Sequence, residues 1–356
     1  MRKLLYIDLI SPAGHENYDS NMIRLMNKFF IVDVRASEGM THLIPTKYCH
    51  TIESCPNKIY PEYWKHSKYR SLSKLLWRYY QYEYIKKIVK ENSNDYDCIF
   101  FSSIEVFSFM LATRGFKGTN VYFVDHGVYR IKNRLTRFFY RAILSPSVNI
   151  VALEEYIREY LINNGIKSNI YVIHHPIPEY PPIVWSQLET KTCYDVFAPS
   201  SSNEDSFVAD LIESREKLPE NVKIIIRAHR YIHRDEHLDV YNERISSQEY
   251  DERFRNADFI LIPYESAYNY RTSAILFESL GMGKRVLLWG NNTLKEYFRD
   301  YKNCVCVYSN TTDFIRKISK LDNLEYDITS INRFMSNYSD CYIQEQIKKA
   351  FYRILL

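Results

Sequence analysis

Residues 257–290 read ADFILIPYESAYNYRTSAILFESLGMGKRVLLWG, and the pattern of this stretch decides the fold that the sequence predicts. An apolar run at 259–263 precedes a polar loop, and a helical stretch that begins at 271–273 leads through two glycines to a second apolar run at 286–289. Short apolar runs separated by one helix are typical of buried parallel strands. Ligands of such sheets bind at the carboxyl ends of the strands, where helix amides are free, so the loop is predicted to face a ligand.

The residues of this loop favour an anionic ligand that carries a sugar. Thr272 is predicted to cap the helix, whose first amides suit a phosphate, and Arg271 adds a cation at the same end. Glu278 lies seven residues beyond Arg271 and is expected to share a helix face with it, where its carboxylate would accept hydrogen bonds from ribose hydroxyls. The alternative is that Thr272 only caps the helix and that Glu278 is a solvated surface charge.

The stretch 263–281, from PYE to ESLG, resembles the donor-binding signature of GT-B glycosyltransferases, especially the nucleotide-sugar transferases of glycosyltransferase family 4. The resemblance implies that Glu278 binds the ribose and that the amides near Ser273 bind the phosphates. The paired glutamates of that family are eight positions apart, whereas Ser273 follows Glu265 by eight and Tyr270 precedes Glu278 by eight. Retention or inversion of the sugar configuration is therefore left open.

Composition sets broad limits on the class of protein. The chain has 356 residues, 46% hydrophobic and 25% charged, which predicts two globular domains with ample cores. The net charge of +4 argues against a dedicated nucleic-acid binder, yet it is compatible with phosphate ligands or an anionic lipid surface.

Cysteine usage and hydropathy indicate a cytoplasmic protein. Seven cysteines without a CxxC pair favour reduced thiols over disulfides or a metal site. A strand pattern begins at once, with no secretion signal before it, and no stretch approaches the length of a membrane span. We expect no cofactor and no metal, with the nucleotide sugar as substrate.

Apolar runs alternate with helical patterns through both halves of the chain, which predicts parallel sheets covered by helices. Strands are predicted at 4–10, 30–34, 98–102, 121–124, 150–153 and 170–173, and again at 194–198, 222–226, 259–261, 286–289 and 305–308. Helices are predicted at 71–91, 104–112, 135–144 and 154–164, with a final helix near 342–355.

We therefore predict an α/β protein with two doubly wound, Rossmann-like parallel-sheet domains that face each other across a cleft, as in GT-B. Residues 1–175 would form the acceptor-side domain, and a proline-rich linker at 176–192 would lead to a nucleotide-sugar-binding domain at 193–338. The final segment, 339–356, either crosses back to the first domain or packs on its own.

Polar residues at predicted strand ends supply the other candidates. His126, after the strand 121–124, is the candidate general base toward an acceptor hydroxyl, and Asp125 would orient it. Gly14 and His15 lie in a loop after the first strand, where close backbone approach suits the acceptor side. Each of these histidines has the alternative of an ordinary turn residue.

The second domain offers further donor-binding candidates. Arg227 and His229 follow a strand and would point the same way by its period of two, toward the diphosphate. The full set of candidate donor-binding residues is Glu278, Ser273, Thr272, Arg271, Arg227, His229, Glu265, Tyr264 and Ser201. The adjacent His174 and His175 would face opposite ways on a strand, which argues against a metal pair.

Two basic, aromatic-rich segments, 65–87 and 132–141, suit contact with an anionic membrane surface. Their alternative is that both are amphipathic helices which pack on a core and present Lys and Arg to water. Membrane contact would place the protein peripherally on the inner face of the membrane.

The sequence thus predicts a metal-independent glycosyltransferase that moves a sugar from a nucleotide-diphosphate sugar to a hydroxyl of a growing surface glycan, free or lipid-linked. Two alternatives stay open. One is a nucleotide-sugar epimerase of the same fold, and the other is a non-catalytic scaffold subunit of a glycan-assembly complex.

Overall fold

The computed structural model describes residues 1–10, 16–64, 70–116, 120–178, 180, 191–264 and 268–355. The chain divides into two compact units, Met1–Glu179 with Tyr338–Leu356 and Tyr180–Asn337. Each unit is built on one seven-stranded sheet in which nearly all neighbouring strands are parallel. This confirms the predicted α/β class with two doubly wound, Rossmann-like sheets. Within the described ranges, no helix is both long and apolar enough to cross a bilayer.

The first sheet has the strand order β3-β2-β1-β4-β5-β6-β7. Its strands are β1 Arg2–Asp8, β2 Phe30–Ala36, β3 Thr51–Ser54, β4 Cys98–Ser103, β5 Val121–Val124, β6 Asn149–Ala152 and β7 Asn169–Val172. Every residue of β4, β5 and β6 is buried, as the apolar runs predict. The edge strand β3 (TIES) was not predicted, because three of its four residues are exposed and carry no apolar signal.

Helices cover this sheet between the strands. They are α1 Glu16–Met26, α2 Glu38–Thr41, α3 Arg70–Asn92, α4 Val106–Ala112, α5 Arg134–Phe138 and α6 Glu155–Asn163. The helix predicted at 135–144 is α5 followed by a π-helical turn at Phe139–Ile143. Asn133 begins it, since its side chain accepts the backbone N–H of Leu135 (2.9 Å).

The second sheet has the order β10-β11-β9-β8-β12-β13-β14, in which only β10 and β11 pair antiparallel. Its strands are β8 Tyr194–Ala198, β9 Val222–Arg227, β10 His233–Arg234, β11 Leu238–Tyr241, β12 Phe259–Ile262, β13 Arg285–Trp289 and β14 Cys306–Tyr308. Its helices are α7 Asp205–Glu213, α8 Ser247–Asn256, α9 Ala274–Gly281, α10 Thr311–Ile318 and α11 Ile328–Ser336. The stretch 257–290 is therefore a strand–helix–strand unit, as predicted.

The last two helices, α12 Asp340–Ala350 and α13 Tyr352–Leu355, belong to the first unit. Arg24 of α1 donates to the carboxylate of Asp340 (2.7 Å). The Tyr122 hydroxyl donates to the carbonyl oxygen of Ala350 (3.0 Å), and its ring packs on Phe351 with 4.3 Å between centroids. A buried aromatic contact and two polar contacts therefore hold the end of the chain against α1 and β5 of the first unit.

Candidate functional site

One asparagine joins three loops at the carboxyl edge of the second sheet. Asn203 Nδ2 donates to the carbonyl oxygen of Ala198 at the end of β8 (3.0 Å) and to that of Arg227 at the end of β9 (2.9 Å). Its backbone forms a bridge with Tyr264, which follows β12. These bonds bring two predicted donor-binding residues, Arg227 and Tyr264, to the edge where parallel sheets bind ligands. Ser201, predicted from the same loop as Asn203, is an exposed turn residue.

The helix α9 begins at Ser273 and not at Thr272. Ser273 has extended backbone angles and its Oγ accepts the N–H of Leu276 (3.2 Å), so the predicted capping role of Thr272 is wrong. The Thr272 carbonyl oxygen instead accepts the Tyr268 hydroxyl (2.7 Å). Ser273 is fully buried, and the Tyr264 hydroxyl lies 3.2 Å from its Oγ. The cap and the end of β12 are therefore held together.

The residues just before α9 adopt a strained loop. Tyr270 has φ +56°, a left-handed conformation that is uncommon outside glycine, and its N–H donates to Thr293 Oγ1 (2.7 Å). The next residue, Arg271, places its guanidinium over the Tyr268 ring, 5.7 Å from the centroid. Since α9 starts after Arg271, the predicted helix face shared by Arg271 and Glu278 does not exist.

Glu278 is half-buried inside the second unit and hydrogen-bonded, so the alternative of a solvated surface charge is wrong. Its Oε2 accepts the hydroxyl of Tyr250, on α8, at 2.9 Å. Burial raises the pKa of Glu278 above its ordinary value, and the Tyr250 hydrogen bond opposes that rise. Tyr250 was not predicted, because no sequence pattern indicates a contact between two residues that are 28 positions apart.

A second tyrosine lies against α9. The ring of Tyr180 packs so closely on Gly281 that a Cβ there would lie 2.3 Å from the ring. Burial and the nearby charge of Glu278 raise the pKa of Tyr180. Gly281, the last residue of α9 and the first of the two glycines before the second apolar run, is therefore the position that admits this ring.

The basic strand end differs from its prediction. The strand β9 ends at Arg227, so the period of two does not extend to His229, and that argument for a shared direction is wrong. The N–H of His229 donates to Asp205 Oδ1 (3.3 Å), and Arg230 pairs with Asp205 Oδ2 (3.3 Å). An acidic side chain therefore lies among these cations. Glu265, Gly14 and His15 lie outside the described residues.

At the carboxyl edge of the first sheet, His126 is held by the end of β4. Its Nε2 lies 3.0 Å from the carbonyl oxygen of Ser102, which can only accept, so Nε2 carries the proton. The Tyr18 ring packs edge-on against His126 and His175, with centroids 5.5 and 5.0 Å apart. The imidazole is therefore oriented by backbone and aromatic contacts.

Asp125, predicted to orient His126, has one partner in its own loop and another in the π-helical turn after α5. Its Oδ1 accepts the N–H of Gly127 (2.7 Å), and its Oδ2 accepts the hydroxyl of the buried Tyr140. Both contacts fix the turn that carries His126. A catalytic role for either residue stays a prediction.

A buried carboxyl pair lies behind this edge. Asp8 ends β1, Asp19 lies on α1, and their buried side chains are neighbours. The Tyr6 hydroxyl donates to Asp19 Oδ1 (2.6 Å), and Asp8 Oδ1 accepts the N–H of Ile10 (2.9 Å). Burial and the neighbouring Asp8 raise the pKa of Asp19, because two adjacent buried carboxyls do not both ionise readily. No sequence pattern predicts this pair.

The two adjacent histidines after β7 have separate surroundings. His174 stacks on Tyr338, at 4.8 Å between centroids, and approaches Glu154 with its Nε2 at 3.7 Å. His175 Nδ1 lies 2.9 Å from the carbonyl oxygen of Pro176. The two imidazole rings therefore have different partners within the first unit.

Comparison with known proteins shows which family of proteins the chain resembles. Residues 50–179 match the family model described as Glycosyltransferase Family 4. Among curated proteins, none matches the sequence significantly. The matched residues lie in the first unit, whereas the stretch 263–281 that carries the sequence resemblance lies in the second.

Solved structures share the fold over nearly the whole chain. The lipopolysaccharide outer core galactosyltransferase WaaB is 14% identical, with a TM-score of 0.65 and 99% of both chains covered. HepE of Anabaena, solved in complex with UDP-glucose, is 13% identical, with a TM-score of 0.64 over 99% of this chain and 100% of that one. The UDP-N-acetylglucosamine 2-epimerase from Rickettsia bellii is 13% identical, with a TM-score of 0.60 over 100% and 97%.

The fold is thus the GT-B fold of glycosyltransferases. The predicted resemblance to family 4 is confirmed by the family match over residues 50–179. The structural likeness of the whole chain confirms the GT-B fold.

Proposed function

We propose that this protein is a glycosyltransferase that transfers a sugar from a nucleotide-diphosphate sugar to a hydroxyl of a growing surface glycan. The observation that carries the proposal is the half-buried Glu278, which lies on α9 and accepts a hydrogen bond from Tyr250 of α8. The capped N-terminus of α9 follows β12. A fixed carboxylate and a helix end in one strand–helix–strand unit match the two halves of a nucleotide sugar, its ribose and its diphosphate.

In the proposed donor site, different predicted residues bind different parts of the nucleotide sugar. Glu278 accepts ribose hydroxyls, since Tyr250 occupies only Oε2 of its two carboxylate oxygens. The amides after Ser273 and the guanidinium of Arg271 bind the diphosphate, and Arg227 adds charge from the end of β9. Five further predicted residues complete the proposed site, namely Thr272, His229, Glu265, Tyr264 and Ser201.

Transfer needs a leaving group and a base. We propose that the cations and helix amides stabilise the developing diphosphate charge, so that the reaction proceeds without a metal. His126 takes the proton of the acceptor hydroxyl at Nδ1, because Nε2 donates to Ser102. Asp125 would serve by holding the turn that carries His126.

The proposal extends to the acceptor and to the location of the protein in the cell. The structural likeness to WaaB, a lipopolysaccharide galactosyltransferase, supports a surface-glycan acceptor that is lipid-linked. We propose that the protein works in the cytoplasm, peripherally on the inner face of the membrane.

Thermal stabilisation by nucleotides tests the donor site. We expect one nucleoside diphosphate from a panel, or its sugar conjugate, to raise the Tm by several degrees. The shift should vanish in Glu278→Ala and Arg271→Ala and persist in Glu252→Ala and Arg255→Ala, which change exposed residues of α8. Stabilisation that persists in Glu278→Ala would contradict the assigned site.

An epimerase is the second candidate, favoured by the structural likeness to the Rickettsia bellii 2-epimerase. Incubation with the stabilising nucleotide sugar separates the two. Slow hydrolysis of the donor supports a transferase, whereas interconversion of free nucleotide sugars supports an epimerase. Absence of any nucleotide affinity would leave the scaffold alternative.

A further inference from the structure

The helix α3 has two apolar faces, and only one of them packs on the sheet. Its inner face buries Gln81, Ile85, Ile88 and Val89. The opposite face carries Leu72, Leu75, Tyr79 and Tyr82 at helical spacing, and the first three are more than half exposed. An outward apolar stripe on a helix that already has a buried face requires a separate explanation.

This outward stripe forms one wall of a groove, which we call the α3–α5 groove. The groove has a volume of about 820 Å³, and its walls come from α3, α4, α5 and the π-helical turn after α5. Its apolar lining includes Leu75, Tyr79, Tyr82, Leu111, Leu135 and Phe139. Leu135 is 63% exposed, and the neighbouring Phe138 is 56% exposed. Two segments distant in sequence therefore contribute to one apolar surface.

The rim of the groove is basic. Residues 128–143, which include α5, contain five Lys or Arg and no Asp or Glu. Arg114 is exposed and lies in the lining, and the exposed Lys74 and Arg134 directly precede the lining residues Leu75 and Leu135. Arg78 lies in the lining, where it pairs with the buried Glu105 (2.9 Å). Positive charge around exposed Leu, Tyr and Phe side chains complements lipid phosphates above acyl chains.

We propose that the α3–α5 groove is the surface by which this protein binds an anionic phospholipid bilayer. The apolar side chains would enter the interfacial region, and Lys74, Arg114 and Arg134 would contact lipid phosphates. An apolar surface alone would fit several occupants, but the basic segment 128–143, together with the exposed Lys74 and Arg114, selects a negatively charged one.

The groove is connected to the carboxyl edge of the first sheet. Gln81 of α3 donates to the carbonyl oxygen of Leu9 after β1 (2.7 Å), and its Oε1 accepts the N–H of Glu105 after β4 (3.0 Å). Glu105 in turn holds Arg78 of the groove. Resting on the proposed transferase function, this geometry would place a membrane-embedded acceptor lipid beside the strand ends that carry His126.

Vesicle binding tests the proposal. The full chain is sedimented with vesicles of phosphatidylcholine alone or mixed with phosphatidylglycerol, at low and high salt. We expect binding only to the mixed vesicles, weakened by salt. Leu75→Ser/Leu135→Ser and Lys74→Gln/Arg134→Gln should each weaken it about tenfold. The matched variant Ile162→Ser/Ile232→Ser, which changes exposed apolar residues outside the groove, should bind as the natural chain does.

Three results would overturn the proposal. One is no binding to the mixed vesicles, and another is equal binding by the groove variants. The third is a dimer, measured by light scattering, that the groove variants dissociate, since the groove would then bind a second copy. Nucleotide stabilisation is measured on the same samples and should persist in every variant, so failure of the donor site is distinguishable from failure of the membrane surface.

Discussion

Tyr250 donates a hydrogen bond of 2.9 Å to Glu278, and this contact links two helices that flank β12. The carboxylate is half-buried, and burial alone would favour its neutral form. A neutral carboxyl is a poorer acceptor for ribose hydroxyls. The phenol therefore helps to keep the proposed donor site charged.

Tyr250→Phe should weaken nucleotide affinity about tenfold and shift its pH dependence. Without the phenol, the pKa of Glu278 rises further, so the carboxylate neutralises at a higher pH and affinity is lost earlier as pH falls. Calorimetric titration at a series of pH values from neutral into the acidic range measures this. Identical pH profiles for the two proteins would show that Tyr250 does not act through Glu278.

Ser273→Ala should destabilise the protein by about 1 to 2 kcal/mol, because the variant removes the cap of α9. Thr272→Ala is the matched control and should cost less than about 0.5 kcal/mol, since only its backbone oxygen has a described role. Urea unfolding measures both. The reverse order of effects would restore Thr272 as the cap.

Gly281→Ala should cost about 1 to 3 kcal/mol, because the added methyl group overlaps the Tyr180 ring. Tyr180→Ala in the same chain should recover most of that loss. A simple helix-propensity effect predicts the opposite, since alanine is favoured over glycine within a helix. The double-variant cycle by urea unfolding decides between them.

Asp19→Asn should flatten the pH dependence of stability. The folded chain holds a proton on the Asp19 carboxyl above its unfolded pKa of about 3.9, so stability falls as pH rises from there through the raised folded pKa. Asparagine keeps an acceptor for Tyr6 and has no such titration. Denaturant unfolding across this pH range should give a smaller slope for the variant, and an unchanged slope would place the titration elsewhere.

The sheet interiors were predictable because parallel strands buried on both faces leave unbroken apolar runs. The strands β5 and β8 have the predicted bounds. The strands β3, β10 and β11 lack such runs. Water replaces a neighbour on one side of the edge strands β3 and β10, and β11, beside β10, has only four residues. Their register depends on partners that the local sequence does not encode.

The site was predictable in its location but not in its internal contacts. Glu278 and Ser273 belong to a strand–helix–strand pattern that is visible in the local sequence. Tyr250, Asn203 and the pair of Asp8 and Asp19 act through contacts between separate elements, which only folding brings together. Thr272 was wrongly predicted as the helix cap because the adjacent Thr and Ser are both good caps. The contact of Tyr264 with Ser273, which lies in a separate element, favours Ser273.

The ion pair of Arg24 with Asp340 has a consequence for synthesis of the chain. The first unit contains residues from both sides of Tyr180–Asn337, so it cannot close while the ribosome is still making that segment. The second unit is one continuous segment that leaves the tunnel before α12 does, so its sequence is complete earlier. Until α12 emerges, the surface of α1 and the Tyr122 ring are uncovered, and the nascent first unit is open to chaperones and proteases.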